Sequence, residues 1–175
     1  ETTRKGNALA KKFTQAMEKH DFREVERLTD EMLALDAARF GQVATVNLEI
    51  LLSQTRETDK AYAFARRVST GSLASNPNAL NDMAWTIVTA HGVERRDTDL
   101  ALSLARTACD LTQHQDGRIL DTLARVHAER GEFKEAYEAA TKAVAHLPAD
   151  SPETTREEIS SRREQYRVRA GVGPR

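Results

Sequence analysis

Five histidines are the side chains best suited to metal binding: His20, His91, His114, His127 and His146. No two of these histidines are three or four residues apart, which is the spacing of a helix-borne zinc site with two histidine ligands. Folding could still bring together His91 and His114, since both are predicted to lie in loops, but solvated loop histidines are far more common than ligands. We therefore expect no metal and no cofactor.

The single cysteine, Cys109, excludes an internal disulfide and a multi-cysteine metal site. A cysteine nucleophile needs a nearby base and an electropositive setting. Cys109 instead follows Ala108 on a predicted helix, where a small buried packing residue is the better interpretation. We expect no redox or nucleophilic role for this thiol.

Carboxylates offer no clearer chemistry. Asp97 and Asp99 begin a predicted helix after a long turn, where cation binding is one interpretation and N-capping by Asp97 is the simpler one. The sequence contains no Gly-rich phosphate loop, no Gly-x-Ser-x-Gly elbow and no paired carboxylate motif. The residues thus predict a protein that is not an enzyme.

Charge and hydropathy exclude two classes of partner. Lys and Arg number 26 against 27 Asp and Glu, with the signs interspersed, so there is no basic field of the kind that captures nucleic acid. The longest useful apolar run, residues 48–52, is interrupted by Glu49 and is far shorter than the ~20 residues that cross a bilayer. We expect neither a nucleic-acid partner nor a membrane span.

Apolar residues recur at three- and four-residue spacing along almost the whole chain, which predicts an all-α fold. Helix starts are indicated by Asn76-Pro77 and by Ser151-Pro152-Glu153, since an N-cap followed by proline suits a first turn. Gly71, Gly131 and Gly171 stand where helices are expected to end.

An internal repeat is clearest in residues 117–150, where two predicted helices flank the turn Arg130-Gly131-Glu132. Small residues recur where two antiparallel helices would cross, and this allows their close approach. This segment resembles the tetratricopeptide repeat, whose period is about 34 residues. The positions that carry the resemblance are Ala124, Gly131, Phe133, Ala136, Ala143 and Pro148, while His127 and Ala140 replace residues that are usually aromatic.

Three further copies are predicted at residues 7–37, 38–71 and 78–113, and residues 152–170 form a charged capping helix with Ile159 and Tyr166 on its apolar edge. The turns His20-Asp21-Phe22 and Gly131-Glu132-Phe133 look equivalent. The resemblance implies a single domain over residues 1–175: a right-handed superhelical stack, or α-solenoid, of about four helix-turn-helix repeats plus the cap.

The segments LNDMAW, RDTDLALSLARTACDLT and ILDTLARVHAERGEF are similar to tetratricopeptide segments that in many bacterial proteins follow another domain, thioredoxin-like domains included. The chain begins at Glu1, so we expect a C-terminal accessory piece of a longer protein. The compartment, cytoplasmic or periplasmic, stays open.

In a stack of this kind the first helices of the pairs line a concave groove. Placing the motif on the sequence turns seven residues toward that groove: Asn47, Asn81, Asp82, Trp85, Arg118, Asp121 and Arg125. Amide and guanidinium groups suit the backbone and carboxylates of an extended peptide, and Trp85 suits an apolar anchor. The alternatives are that Trp85 is a core residue and that Asp121 and Arg125 pair along one helix.

These observations predict a non-catalytic protein-interaction scaffold that binds a peptide or a neighbouring domain in its groove. The alternative is a structural or dimerisation region that supports a missing N-terminal catalytic domain, so an oligomer is also open. A small-molecule enzyme with an irregular pocket is the third hypothesis.

Overall fold

A computed structural model describes residues 2–173, and within that range the chain forms eight α-helices, one π-helical turn and no strand. The all-α prediction is confirmed. No helix in this range is long and apolar enough to cross a membrane. The helices are α1 (Thr2–Glu18), α2 (Phe22–Glu49), α3 (Thr58–Thr70), α4 (Pro77–Thr89), α5 (Thr98–Leu111), α6 (Gly117–Glu129), α7 (Phe133–Ala145) and α8 (Glu153–Arg169), and the π-helical turn is Ile50–Gln54.

Helix α2 is interrupted at Asp36, whose backbone is extended (φ −163°, ψ 88°). The Asp36 side chain accepts a hydrogen bond from the backbone N–H of Arg39 at 3.0 Å, as an N-cap does. The two halves of α2 are therefore separate helical segments joined by one non-helical residue. The break lies beside the boundary that the sequence analysis placed between residues 37 and 38.

The two turns that look equivalent in the sequence close with the same backbone hydrogen bond. The N–H of Asp21 donates to the Ala16 carbonyl, and the N–H of Glu132 donates to the His127 carbonyl, each at 2.9 Å and each spanning five residues. This bond satisfies one of the last carbonyls of the preceding helix. In both turns a phenylalanine then begins the next helix.

The turn before α3 contains one residue more than the two turns just described. Here the N–H of Glu57 donates to the Leu51 carbonyl at 2.8 Å, which spans six residues instead of five. The π-helical turn Ile50–Gln54 accommodates this residue, because each of its hydrogen bonds encloses one more residue than an α-helical bond.

Most of the predicted caps are confirmed. Asn76 accepts from the N–H of Ala79 at 3.1 Å, and Asp97 accepts from the N–H of Leu100 at 2.9 Å. Gly131 and Gly171 have the left-handed φ values of 77° and 67° that favour glycine.

The predicted helix end at Gly71 is confirmed, since α3 ends at Thr70 and Gly71 is its C-cap, although its φ of −112° is outside the left-handed region. The predicted start of α8 differs in detail. Pro152, not Ser151, occupies the N-cap position of α8 and provides no side-chain hydrogen bond.

Helices adjacent in the chain make most of the packing contacts, and α4 also packs against both α2 and α6. The close approach of α6 and α7 depends on alanines without exposed surface: Ala124, Ala136, Ala140 and Ala143. One hydrophobic core extends from the second half of α2 to α8. A smaller core joins α1 to α2 and includes Leu9, Val25, Leu28 and Phe40.

Gly117, the first residue of α6, provides a test of this close packing. A methyl group at this position would lie 2.7 Å from the Ala143 carbonyl oxygen and 2.9 Å from the Leu147 nitrogen, so the backbone itself would have to move. We expect Gly117→Ala to lower the free energy of unfolding by about 1–3 kcal/mol in urea titrations. Gly173→Ala is the control, because nothing lies within 4 Å of its added methyl. Equal stability of the two variants would contradict the packing described here.

Candidate binding face of helices α4, α6 and α8

Three helices contribute to one cluster of aromatic and charged side chains. Arg162 of α8 donates from Nη2 to Asp121 Oδ2 at 2.6 Å and from Nε to Oδ1 at 3.3 Å. Its guanidinium carbon also lies 6.0 Å from the centre of the Trp85 ring. We call Trp85, Arg118, Asp121, Arg125 and Arg162 the α4/α6/α8 face.

Asp121 is the buried member of this face, with 7% of its surface exposed. Burial raises the pKa of its carboxyl group, and the hydrogen bond from Arg162 acts in the opposite direction. The Nε and Nη2 groups of Arg162 thus both donate to the one carboxylate of Asp121. Asp121 is thus satisfied within the chain and holds Arg162, and with it α8, against α6.

Arg118 is the most accessible cation of the face, with 60% of its side chain exposed. Its Nη2 donates to Asn78 Oδ1 at 3.2 Å, and the Asp116 carboxylate lies 3.7 Å away. Asp116 is itself occupied as the N-cap of α6. Most of the Arg118 guanidinium surface is therefore available to a ligand.

Trp85 is half-buried, so it is neither an entirely buried core residue nor an open anchor. Arg125 is also half-buried and lies 4.0 Å from Glu129, one turn further along α6. The proposed pairing of Asp121 with Arg125 along α6 is wrong, because Arg162 takes the Asp121 carboxylate.

Two predicted groove residues are covered by the protein. Asn81 is 6% exposed and donates from Nδ2 to Asp82 Oδ1 at 3.0 Å, and Asp82 is half-buried. Asn47 is 1% exposed. Asn47, Asn81 and Asp121 therefore do not present free side chains to a groove, because packing against neighbouring helices encloses each of them.

Asn47 also lies apart from the rest of the predicted set. It borders a cavity with His20, Thr55 and Lys60, near the turns that follow α1 and the π-helical turn. The fold thus brings together residues from α4 and α6 and leaves Asn47 at another place. Whether the face binds a ligand stays a prediction.

Arg162 is a member of this face that is absent from the predicted groove residues. The sequence does indicate that Arg162 faces the other helices, since it follows Ile159 by three residues and precedes Tyr166 by four. Residues at these spacings share one helix face, and both Ile159 and Tyr166 are buried.

The histidines make only local contacts. His91 is exposed, His114 Nε2 lies 3.1 Å from Asp110 Oδ1, and buried His127 has Nδ1 2.6 Å from Glu132 Oε2. Within residues 2–173, no group of three or more His, Cys, Asp or Glu side chains is arranged to hold a metal ion.

Comparison of the sequence with protein-family models and with curated proteins found no match.

Cys109 has no exposed surface, and its Sγ lies 3.9 Å from the Ile119 carbonyl oxygen. Burial raises the pKa of the thiol to about 12, with smaller contributions from Asp110 and Asp116. These surroundings agree with the prediction that Cys109 is a small buried packing residue.

We expect iodoacetamide to leave native Cys109 unmodified at pH 8 and at pH 10, because the reactive thiolate is scarce below a pKa of about 12. In guanidinium chloride the thiol should alkylate readily at pH 8, since an unfolded cysteine has a pKa near ~8.5. Mass spectrometry measures both. Alkylation of the native protein at the unfolded rate would show that Cys109 is accessible.

Proposed function

We propose that this chain is a non-catalytic protein-interaction scaffold that binds an extended peptide on the α4/α6/α8 face. In this proposal the helices form about four tetratricopeptide-like pairs in a right-handed superhelical stack, with α8 as the cap. The sequential packing of the helices and the buried alanines of α6 and α7 support it. The stack would present α4, α6 and α8 on its inner side.

The observation that carries the proposal is the arrangement around Trp85. A half-buried indole lies beside the Arg162 guanidinium, and the accessible Arg118 lies on the neighbouring helix. Tryptophan and arginine are the side chains most often found to dominate binding energy at protein interfaces. A guanidinium group binds a carboxylate well because it can donate two parallel hydrogen bonds to it. A peptide with an apolar side chain near an acidic one fits this combination.

The alternative is a structural or dimerisation region that supports an upstream catalytic domain, with a thioredoxin-like domain as one case. The occupation of Asp121 by the chain's own Arg162 favours it, because part of the face is then already satisfied. In that case the chain would bind a folded surface, its own copy or a neighbouring domain, and no free peptide. Light scattering distinguishes this alternative from peptide binding, because it measures whether the isolated chain dimerises and whether it associates with the upstream domain.

Trp85 is the only tryptophan of the chain, so its fluorescence reports directly on the face. Peptides selected from a random display library against the full chain are titrated while Trp85 emission is followed. We expect binding to change the emission, because an incoming side chain alters the surroundings of the indole. For the Arg118→Ala variant we expect at least tenfold weaker binding, since truncation of a central arginine contact often costs more than about 1.4 kcal/mol.

Arg106→Ala is the matched control, because Arg106 is an exposed arginine on α5, outside the face. Trp85→Ala, followed with labelled peptides, should weaken binding as Arg118→Ala does. The proposal fails if the selected peptides bind both face variants as tightly as they bind the Arg106→Ala protein.

A further inference from the structure

Asn47 is unusual among the described residues because both polar atoms of its buried side chain, Oδ1 and Nδ2, lack a hydrogen-bond partner. A buried polar group without a hydrogen-bond partner is destabilising and is rare in folded proteins. A cavity of about 330 Å³ adjoins this side chain. Its volume is at the lower end of the range of small-ligand sites.

The cavity lies where two turns meet. His20 comes from the turn between α1 and α2, and Phe22 is the first residue of α2. Ile50 comes from the π-helical turn, and Thr55 from the turn that follows it. π-Helical turns within helical proteins are often found at functional sites. The wide turn after Asn47 therefore forms one wall of the cavity.

Charges at the rim compensate one another. Lys60 Nζ lies 2.6 Å from Glu26 Oε2 and 3.2 Å from Glu57 Oε2, so both carboxylates are paired with one ammonium group. The hydrogen bond that Lys60 donates to Glu26 is the main cause of a raised Lys60 pKa, which keeps the ammonium charged. Asp21 and Arg23 also line the cavity, so the rim combines three carboxylates with two cations. Since neither sign is in large excess, the rim does not favour an ion over a neutral polar ligand.

A second cavity, of about 310 Å³, shares His20, Phe22 and Ile50 with the first and adds the apolar side chains of Met17 and Val46. The unpaired amide of Asn47 thus borders the first cavity, and the apolar side chains of Met17 and Val46 border the second, together with Glu49 and Gln54. One residue of an extended peptide matches this arrangement, because its polar backbone lies on one side and its side chain on the other.

The geometry points to a peptide-binding site between the α1/α2 turn and the π-helical turn, in which Asn47 pairs with the backbone of an extended residue that inserts an apolar side chain beside Phe22. An extended residue presents its N–H and C=O at the same strand edge, and a carboxamide offers an acceptor and a donor side by side. Rim side chains have to shift for this contact, because the Asn47 amide atoms are covered. The site is distinct from the α4/α6/α8 face and does not depend on it.

The test is a titration of the ¹⁵N-labelled full chain, followed by NMR, with N-acetyl-leucine-N-methylamide. We expect saturable shifts of the Asn47 side-chain amide and of the His20 and Ile50 backbone amides. The glycine analogue of this probe should bind at least tenfold more weakly, since it lacks the leucine side chain whose burial favours binding. Propanamide, a primary carboxamide without a peptide backbone, should also bind more weakly.

Asn47→Leu should abolish the saturable shifts and preserve or raise the melting temperature, because it replaces two unpaired polar atoms with an apolar side chain of similar size. Gln42→Leu, at an exposed amide on the same helix, is the matched control and should bind the probe normally. Trp85→Ala should also bind it normally, which separates this site from the face proposed above. Absence of saturable shifts, equal binding of propanamide, or a long-lived water as the sole partner of the Asn47 amide would overturn the inference.

Discussion

Contact between helices across alanine is the interaction on which the rest of the structure depends. Where α6 meets α7, Ala124, Ala136, Ala140 and Ala143 have no exposed surface, and the α6 backbone begins at Gly117 against the carbonyl of Ala143. Small side chains allow helix axes to approach at the short end of the usual 8–10 Å range. Larger residues then fill the space toward the next helices, so the helices from α2 to α8 contribute to one core.

The ends of this arrangement are held differently. Helix α8 buries only Ile159 and Tyr166, and the two-point contact between Arg162 and Asp121 adds a polar attachment to α6. At the other end, α1 and α2 share a separate small core. Asn47 of α2 is a buried amide between the apolar residues Val46 and Leu48. Each proposed site thus includes a buried polar side chain, Asp121 in one and Asn47 in the other.

Local features were predictable from the sequence, and contacts between distant segments were not. Helix periodicity and the caps at Asn76 and Asp97 depend on neighbouring residues, so the pattern specifies them directly. The contact between Asp121 and Arg162 joins residues 41 positions apart. The π-helical turn and the burial of Asn47 depend on how successive turns meet, and no single-sequence pattern encodes this. The groove prediction consequently named Trp85 and Arg118 but also included side chains that packing covers.

Native-state hydrogen exchange tests most directly whether alanine-mediated packing organises the molecule. Exchange of an amide reports the free energy of the opening that exposes it. The amides of α6 and α7 should exchange together and most slowly, because neither helix can open without breaking the shared contact. Those of α8 should exchange faster, because few apolar side chains anchor that helix. Independent exchange of α6 and α7, or protection of α8 equal to theirs, would contradict the central role of this packing.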